Sequence, residues 1–353
     1  MSKFFSEKYK NLVPYIPGEQ PRDKRYVKLN TNESPFPPSS LLQQINSQDY
    51  ADLRLYPDPE NTALVKAYAD YLQVEEENIF VGNGSDEVLG FVFSAFFDQI
   101  NKVAFPDITY GFYPVYCDLF GIDYSLIPLN QDFALNKEAF CNIKCGVVIA
   151  SPNAPTGIAL TLSEIEEIVK SKLDRLVIVD EAYIDFGGES AVKLINKYRN
   201  LIVCQTFSKS RSLAGARLGF AIADKELIKD IKAIKYSFNS YNVNRLTEKM
   251  GILSINDQQY FSKNCSTIIE NRAYLTNMLI GMGFDVLDSK ANFVMAKNDL
   301  IGGKELYLQL KSRGILVRHF GKDRIKDYIR ITIGAKAEID LLLSAIKNIL
   351  EEL

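Results

Sequence analysis

Val177-Ile178-Val179-Asp180-Glu181-Ala182-Tyr183 drives three β-branched apolar residues straight into two acids. With Leu176 before it, the run is apolar at successive positions, so a strand here has no wet face. Strands of that kind belong to a parallel sheet sandwiched by helices. The same texture recurs on both sides, in Asn78-Ile79-Phe80-Val81, Lys102-Val103-Ala104-Phe105, Gly146-Val147-Val148-Ile149-Ala150, Leu201-Ile202-Val203 and Leu218 to Ile222. Helical segments separate them. Glu60 to Leu72 has Leu64, Val65, Tyr68 and Leu72 at helical spacing. Ser163 to Lys170 opens with Ser163 three residues ahead of Glu166, a capping box. The alternation up to about Ala223 predicts an α/β fold with a mainly parallel sheet between helices.

Beyond it the pattern changes. A long helical stretch is expected from about Lys225 to Ile255, then a helix around Ser262 to Gly281 and strands near Phe284 to Leu287 and Phe293 to Met295. A helix from Lys304 to Arg313, strands at Ile315 to Arg318 and Tyr328 to Ile333, and a last helix from Lys336 to Leu353 complete a smaller α+β domain. A chain of 353 residues exceeds one compact core, which favours two domains. The expected division is an arm over 1–34, rich in proline, tyrosine and charge, a large domain over 35–235, and a small domain over 236–353 that takes in part of the arm.

Composition excludes several classes. The net charge is −3 and no basic stripe is present, so nucleic acid is not an expected partner. Five cysteines, Cys117, Cys141, Cys145, Cys204 and Cys265, are an odd number for a disulfide framework and read as reduced thiols. The single histidine, His319, rules out a multi-histidine metal site and argues against a histidine-based triad, so no metal is expected. The longest apolar stretch, Val88 to Phe97, is too short to span a bilayer, and residues 1–8 lack the apolar core of a signal peptide. A cytoplasmic protein is expected.

The chemistry gathers at strand ends. Asp180 ends a buried strand, where open α/β sheets bind ligands. It could pair with a pyridinium nitrogen and keep it protonated, or serve only as a cap or ion-pair partner. Tyr183, three residues on, could reach the phenolate oxygen of such a ring. Lys209 lies in Thr206-Phe207-Ser208-Lys209-Ser210, with Arg217 close behind. Thr206, Ser208 and Arg217 suit a phosphate monoester. A lysine buried beside cations has a lowered pKa, which makes its amine a nucleophile for a Schiff base. An amine among hydroxyls, an arginine and an acid at a strand end are what an enzyme needs to hold pyridoxal phosphate.

Val81-Gly82-Asn83-Gly84-Ser85-Asp86-Glu87 follows a strand and opens a helix, whose free N–H groups could meet a phosphate. The alternative is a turn capped by Ser85 or Asp86. It is not a dinucleotide fingerprint, which disfavours a nicotinamide dehydrogenase. Asn153 sits in a turn after another buried strand, and Tyr110 could stack on an aromatic cofactor. Arg330 interrupts an apolar strand and Arg318 ends one. Each needs an anionic partner, either an internal carboxylate or a substrate carboxylate or phosphate.

Taken together, these residues resemble the fold-type-I pyridoxal-phosphate aminotransferases, most closely the histidinol-phosphate aminotransferases. The resemblance runs through Pro14-Tyr15-Ile16-Pro17-Gly18, Leu29 to Pro35, Tyr56-Pro57-Asp58, Gly82 to Glu87, Ser151 to Gly157, Asp180 to Tyr183, Lys209 to Arg217, Tyr241 to Asn244 and Arg330 to Gly334. It implies a mixed, mainly parallel sheet and pyridoxal 5'-phosphate as cofactor. Lys209 would carry the cofactor and shuttle the substrate proton. Asp180 would pair with the ring nitrogen, Asn153 and Tyr183 would hold the ring oxygen, and Tyr110 would stack on the ring. Gly84, Ser85, Asp86, Ser208 and Arg217 would grip the phosphate, with Thr206 nearby. Tyr56 would reach the cofactor of a partner subunit, which implies a homodimer with shared active sites. Arg330 would take a substrate carboxylate, with Arg318 and Tyr15 towards the substrate phosphate and Asn32 also on the substrate side.

The implied reaction moves an amino group between glutamate and a phosphorylated ketone, imidazole-acetol phosphate first. Dihydroxyacetone phosphate as acceptor, or decarboxylation of an O-phosphorylated amino acid, are the alternatives on the same scaffold. The chain has Ser34 where that family usually has asparagine and Ser240 where it usually has proline.

Overall fold

The computed structural model describes residues 2–353. In chain order, β1 (Val27–Lys28) precedes α1 (Ser47–Ala51) and α2 (Thr62–Leu72). Then come β2 (Ile79–Gly82), α3 (Gly84–Phe96), β3 (Val103–Pro106), α4 (Tyr113–Phe120), β4 (Tyr124–Ile127), α5 (Lys137–Asn142) and β5 (Gly146–Ala150). They are followed by α6 (Leu162–Lys170), β6 (Val177–Asp180), β7 (Leu201–Thr206), β8 (Gly219–Ala223), α7 (Lys225–Phe238), α8 (Arg245–Asn256) and α9 (Gln258–Gly281). The last elements are β9 (Phe284–Val286), β10 (Phe293–Asn298), α10 (Gly303–Ser312), β11 (Ile315–Leu316), β12 (Arg318–His319), β13 (Tyr328–Thr332) and α11 (Lys336–Glu351).

The main sheet has seven strands in the order β2-β8-β7-β6-β5-β3-β4. Only β8 runs against its neighbours. The expected mixed, mainly parallel sheet is therefore present. Apart from the edge strand β4, its strands are buried on both faces, and the period of two assigns the layers. Val177 and Val179 pack into one core with Leu64, Ile165 and Phe220, while Ile178 packs into the other with Val88, Phe93 and Phe105. Each such side chain contributes about 1.5–3 kcal/mol by leaving water.

The second sheet runs β12-β13-β10-β9, antiparallel throughout. Its own core joins Val294, Ile329 and Ile331 to Leu275, Leu306, Leu342 and Ile346 from α9, α10 and α11, and takes Leu29 from the arm. The arm is pinned there, because β1 pairs in parallel with β11.

Four details differ from the sequence reading. The stretch expected to be one helix from Lys225 to Ile255 breaks between α7 and α8, where Asn239, Ser240, Asn242 and Asn244 crowd a turn and Asn244 caps α8 through Thr247 N–H. The capping box of α6 is Thr161 with Glu164, not Ser163 with Glu166. Glu166 instead accepts from Lys197 and Tyr198. The strand expected over Ile315 to Arg318 splits at Val317, β11 pairing with the arm and β12 with β13. The edge strand β4 went unread because its side chains are mostly exposed and carry no burial pattern.

Candidate active site

The carboxyl ends of β3, β5, β6 and β7 open on one side of the main sheet, with Gly219 of β8 registered against Gly82 and Thr206 at the same level. A cavity of about 380 Å³ lies there, lined by Asp180, Lys209, Tyr110, Ser85, Asp86, Thr206, Ser208, Arg217 and Tyr183. A second space of about 520 Å³ adjoins it and holds Tyr15, Asn32, Arg318 and Arg330. Tyr110, Tyr183 and Lys209 face both.

Asp180 is only 4% exposed. Its carboxylate accepts from Tyr113 Oη at 2.7 Å and from Ala182 N–H at 3.2 Å. Burial pushes its pKa up to about 6, against the pull of those two donors. Lys209, half-buried at the mouth of both spaces, donates from Nζ to Thr31 O at 3.3 Å. Burial first, and then the Arg330 guanidinium, lower its pKa to about 8. Both groups are thus shifted towards their neutral forms.

The other end of the cavity is built for an anion. Gly84 opens α3 at φ 75°, which a side chain rarely adopts, and a Cβ there would stand 2.5 Å from the Arg217 guanidinium. A Cβ on Gly219 would stand 2.4 Å from the Gly84 carbonyl carbon. The glycines therefore let Arg217 close over the helix N-terminus. Asp86 holds Arg217 through Nη2 at 2.8 Å and accepts from Tyr110 Oη at 2.8 Å. Thr206 Oγ1 donates to Ser208 Oγ at 3.0 Å beside them.

In the adjoining space Arg330 donates to Asn30 O at 3.0 Å and packs against Phe293 and Phe320, with ring centroids 5.1 and 5.4 Å from its guanidinium carbon. Its Nε is shut off from water without a partner. Among the described residues no carboxylate pairs with it. Arg318 likewise donates only to Ile16 O and Pro17 O, at 3.3 and 3.4 Å. The internal salt bridges that would have explained both arginines are absent among the described residues. Tyr15 lies over this space, its ring 6.1 Å from Tyr110.

Three expected site residues stand differently. Asn153 does not line either space; its amide is taken up by Ile108 O, Thr156 Oγ1 and Thr109 Oγ1. Tyr56 lies away from the cavity, 77% exposed and stacked on Tyr241. Asn32 lines the second space, yet its amide is engaged by Tyr183 and Thr332. Tyr113, Thr31 and Glu33 went unassigned from sequence. Tyr113 had only its spacing from Tyr110 to mark it, and among nineteen tyrosines that is a weak signal.

The family model described as "Aminotransferase class I and II" matches residues 24–346. The chain belongs to that family. A protein of Brachyspira hyodysenteriae named histidinol-phosphate aminotransferase is 51% identical over 353 residues, covering 99% of this chain and 100% of that protein. The crystal structure of histidinol-phosphate aminotransferase from Sinorhizobium meliloti in complex with pyridoxal-5'-phosphate superposes with a TM-score of 0.89 at 24% identity, over 100% of this chain and 99% of that one. The L-threonine-O-3-phosphate decarboxylase of Porphyromonas gingivalis shares the fold at a TM-score of 0.76 and 20% identity, over 92% of this chain and 99% of that one. Fold alone therefore does not separate transamination from decarboxylation.

The groups in this aminotransferase suit the coenzyme that the sequence resemblance implies. A nucleophilic amine, a buried carboxylate with lone pairs to spare, and a guanidinium with two hydroxyls at a helix N-terminus stand around one cavity. An aldehyde, a basic ring nitrogen and a phosphate monoester call for those three partners.

Proposed function

We propose that the protein is a pyridoxal-phosphate-dependent aminotransferase that exchanges an amino group between glutamate and imidazole-acetol phosphate, giving histidinol phosphate and 2-oxoglutarate. When bound, the coenzyme would supply an electron sink at the substrate carbon. Lys209 would hold the aldehyde and, as an amine of lowered pKa, move the proton at that carbon. Asp180 would keep the ring nitrogen protonated. Arg217, Ser208 and the N-terminus of α3 would hold the phosphate, while Tyr110 would pack on the ring and Tyr183 would meet its oxygen.

The observation that carries the substrate class is Arg330. A half-buried guanidinium paired with no carboxylate among the described residues, next to the reactive amine, suits an anion. Arg318 offers a second, so the two carboxylates of glutamate, or the single phosphate of a phosphorylated amine, each find a guanidinium there. The relative from Brachyspira hyodysenteriae favours histidinol phosphate among such amines. The working form is a homodimer, supported by the exposed apolar side chains of Tyr50, Leu53, Leu55, Tyr56, Phe238 and Tyr241, of which Tyr56 and Tyr241 stack on each other. In it Tyr56 would serve the partner's phosphate site. Five unbridged cysteines suit a cytoplasmic protein.

The test is turnover of glutamate with imidazole-acetol phosphate against dihydroxyacetone phosphate. Histidinol phosphate should form fastest, and Lys209→Ala should abolish turnover together with the coenzyme's protein-linked visible band. A preference for dihydroxyacetone phosphate would move the substrate reading. Carbon dioxide release from an O-phosphorylated amino acid, without any keto acid, would replace the reaction itself.

A further inference from the structure

Every polar atom of Asn32 already has a partner within the protein. It sits buried on the arm at φ 56°, a conformation asparagine tolerates better than most residues. Its backbone N–H donates to Thr332 Oγ1 at 2.9 Å. A hydroxyl that accepts still has its own hydrogen to give, and Thr332 gives it to Asn32 Oδ1 at 3.1 Å. That contact decides which end of the amide is oxygen. The other end, Nδ2, donates to Tyr183 Oη at 3.0 Å. The phenol oxygen is an acceptor on that side, so its hydrogen has to leave in another direction. Tyr183 lines the cavity that holds Lys209 and Asp180. Burial keeps its pKa above the ordinary 10.0, so the hydrogen stays on the oxygen.

We propose that Asn32 is a positioning residue that makes Tyr183 a hydrogen-bond donor into the coenzyme cavity. This rests on the reading of that cavity as a pyridoxal phosphate site in which Tyr183 faces the ring oxygen. The chain of donors starts at the backbone N–H of Asn32, passes through Thr332 and the amide, and ends at the phenol. The Thr332 hydroxyl is held by its two contacts to Asn32 and the planar amide cannot flip without losing them, so direction is preserved along it. The anchoring is rigid. Asn292 Nδ2 donates to Asn32 O at 3.0 Å, and Arg330 is two residues from Thr332 on β13. The arm, the substrate arginine and the tyrosine therefore form one unit.

Asn32→Asp replaces the donor with an acceptor and turns the phenol hydrogen away from the cavity. Thr332→Val removes the hydroxyl that orients the amide and preserves the shape. The readout is the pH midpoint at which the visible absorbance of the protein-bound coenzyme changes. A donor on the ring oxygen favours its anionic form, so losing the donor moves the midpoint up. Tyr183→Phe should move it by about one to two pH units, the worth of a hydrogen bond to a charged group. Asn32→Asp should move it the same way by about one unit, and Thr332→Val by a fraction of that. The double variant Asn32→Asp/Tyr183→Phe should sit where Tyr183→Phe sits, because Asn32 acts only through the phenol.

A midpoint unmoved in Asn32→Asp and Thr332→Val, while Tyr183→Phe shifts it, overturns the proposal. So does a shift by Asn32→Asp that persists in the double variant, which would mark a direct charge effect. If Asn32→Asp does not fold, Thr332→Val decides alone. If Tyr183→Phe leaves the midpoint in place, the reading of Tyr183 fails and the proposal falls with it.

Discussion

Asp180→Asn removes a charge that the coenzyme-free fold holds out of water. The carboxyl's pKa rises from its ordinary 3.8 to about 6 on folding. Between those values the folded protein keeps a proton that the unfolded chain has lost, so stability falls as pH rises and levels off above the folded value. The shift of about two units, at about 1.4 kcal/mol each, comes to about 3 kcal/mol at pH 8 and about half that at pH 5. Asparagine is close to isosteric. Its oxygen can accept from Ala182 N–H and its amide can donate to Tyr113 Oη. The phenol hydrogen of Tyr113 then lacks an acceptor, which takes back about 1 kcal/mol. The variant should therefore be more stable than the parent by about 2 kcal/mol at pH 8 and by well under about 1 kcal/mol at pH 5. Urea unfolding of coenzyme-stripped protein at both pH values measures this. Adding pyridoxal phosphate should reverse the order, since only the parent offers a carboxylate to the ring nitrogen. A variant less stable than the parent at pH 8, or a difference that does not change between pH 5 and pH 8, would refute the reasoning.

Arg330→Ala should lower kcat/KM for glutamate roughly 30- to 1000-fold, the worth of about 2–4 kcal/mol for an unpaired anion, while equilibrium dialysis finds coenzyme affinity little changed. Gly84→Ala forces a positive-φ residue and a Cβ against Arg217, so coenzyme affinity should fall by about tenfold or more in a fluorescence titration, with Arg217 displaced. Reductive trapping of pyridoxal phosphate on coenzyme-free protein should speed up as pH rises through about 8, where Lys209 loses its proton, whereas surface lysines respond only above 10. In Arg330→Met that midpoint should rise, because a neighbouring cation has gone; an unchanged midpoint would remove Arg330 as a cause and leave burial and Arg217.

Much of the architecture was legible because buried parallel strands advertise themselves. Val177, Ile178 and Val179 are apolar on both faces, and the acid after them marks the end of the strand where a ligand can sit. The glycines at 82 and 84 and the lysine among hydroxyls were equally local signals. What escaped was long-range. Nothing within a few residues of Tyr113 marks it as the donor to Asp180, 67 positions away. The pairing of Asn32 with Thr332 spans 300 positions and turns an expected substrate ligand into a support for Tyr183. Asn153 reads as a turn residue that the resemblance places on the ring oxygen, but three neighbours absorb its amide once β3 and β5 lie side by side. The edge strand β4 was missed for the opposite reason. Its burial pattern is weak, so local periodicity had little to report.

The opposite shifts of Asp180 and Lys209 share their largest cause. Burial makes a carboxylate and an ammonium both costly, and Arg330 adds to the cost of the ammonium, so the cavity holds two groups away from their preferred charge states. A ligand bringing a protonated ring nitrogen to the first and an aldehyde to the second relieves both at once. The relief adds to the affinity for that ligand and for no other small anion, because inorganic phosphate reaches only the Arg217 end. Binding should therefore stabilise the protein far more than saturating phosphate does, and the excess should shrink in Asp180→Asn, where half of the stored cost is already gone. Equal stabilisation by phosphate and by pyridoxal phosphate in the parent would mean that the anion site alone drives binding, and that the perturbed acid and amine contribute nothing to it.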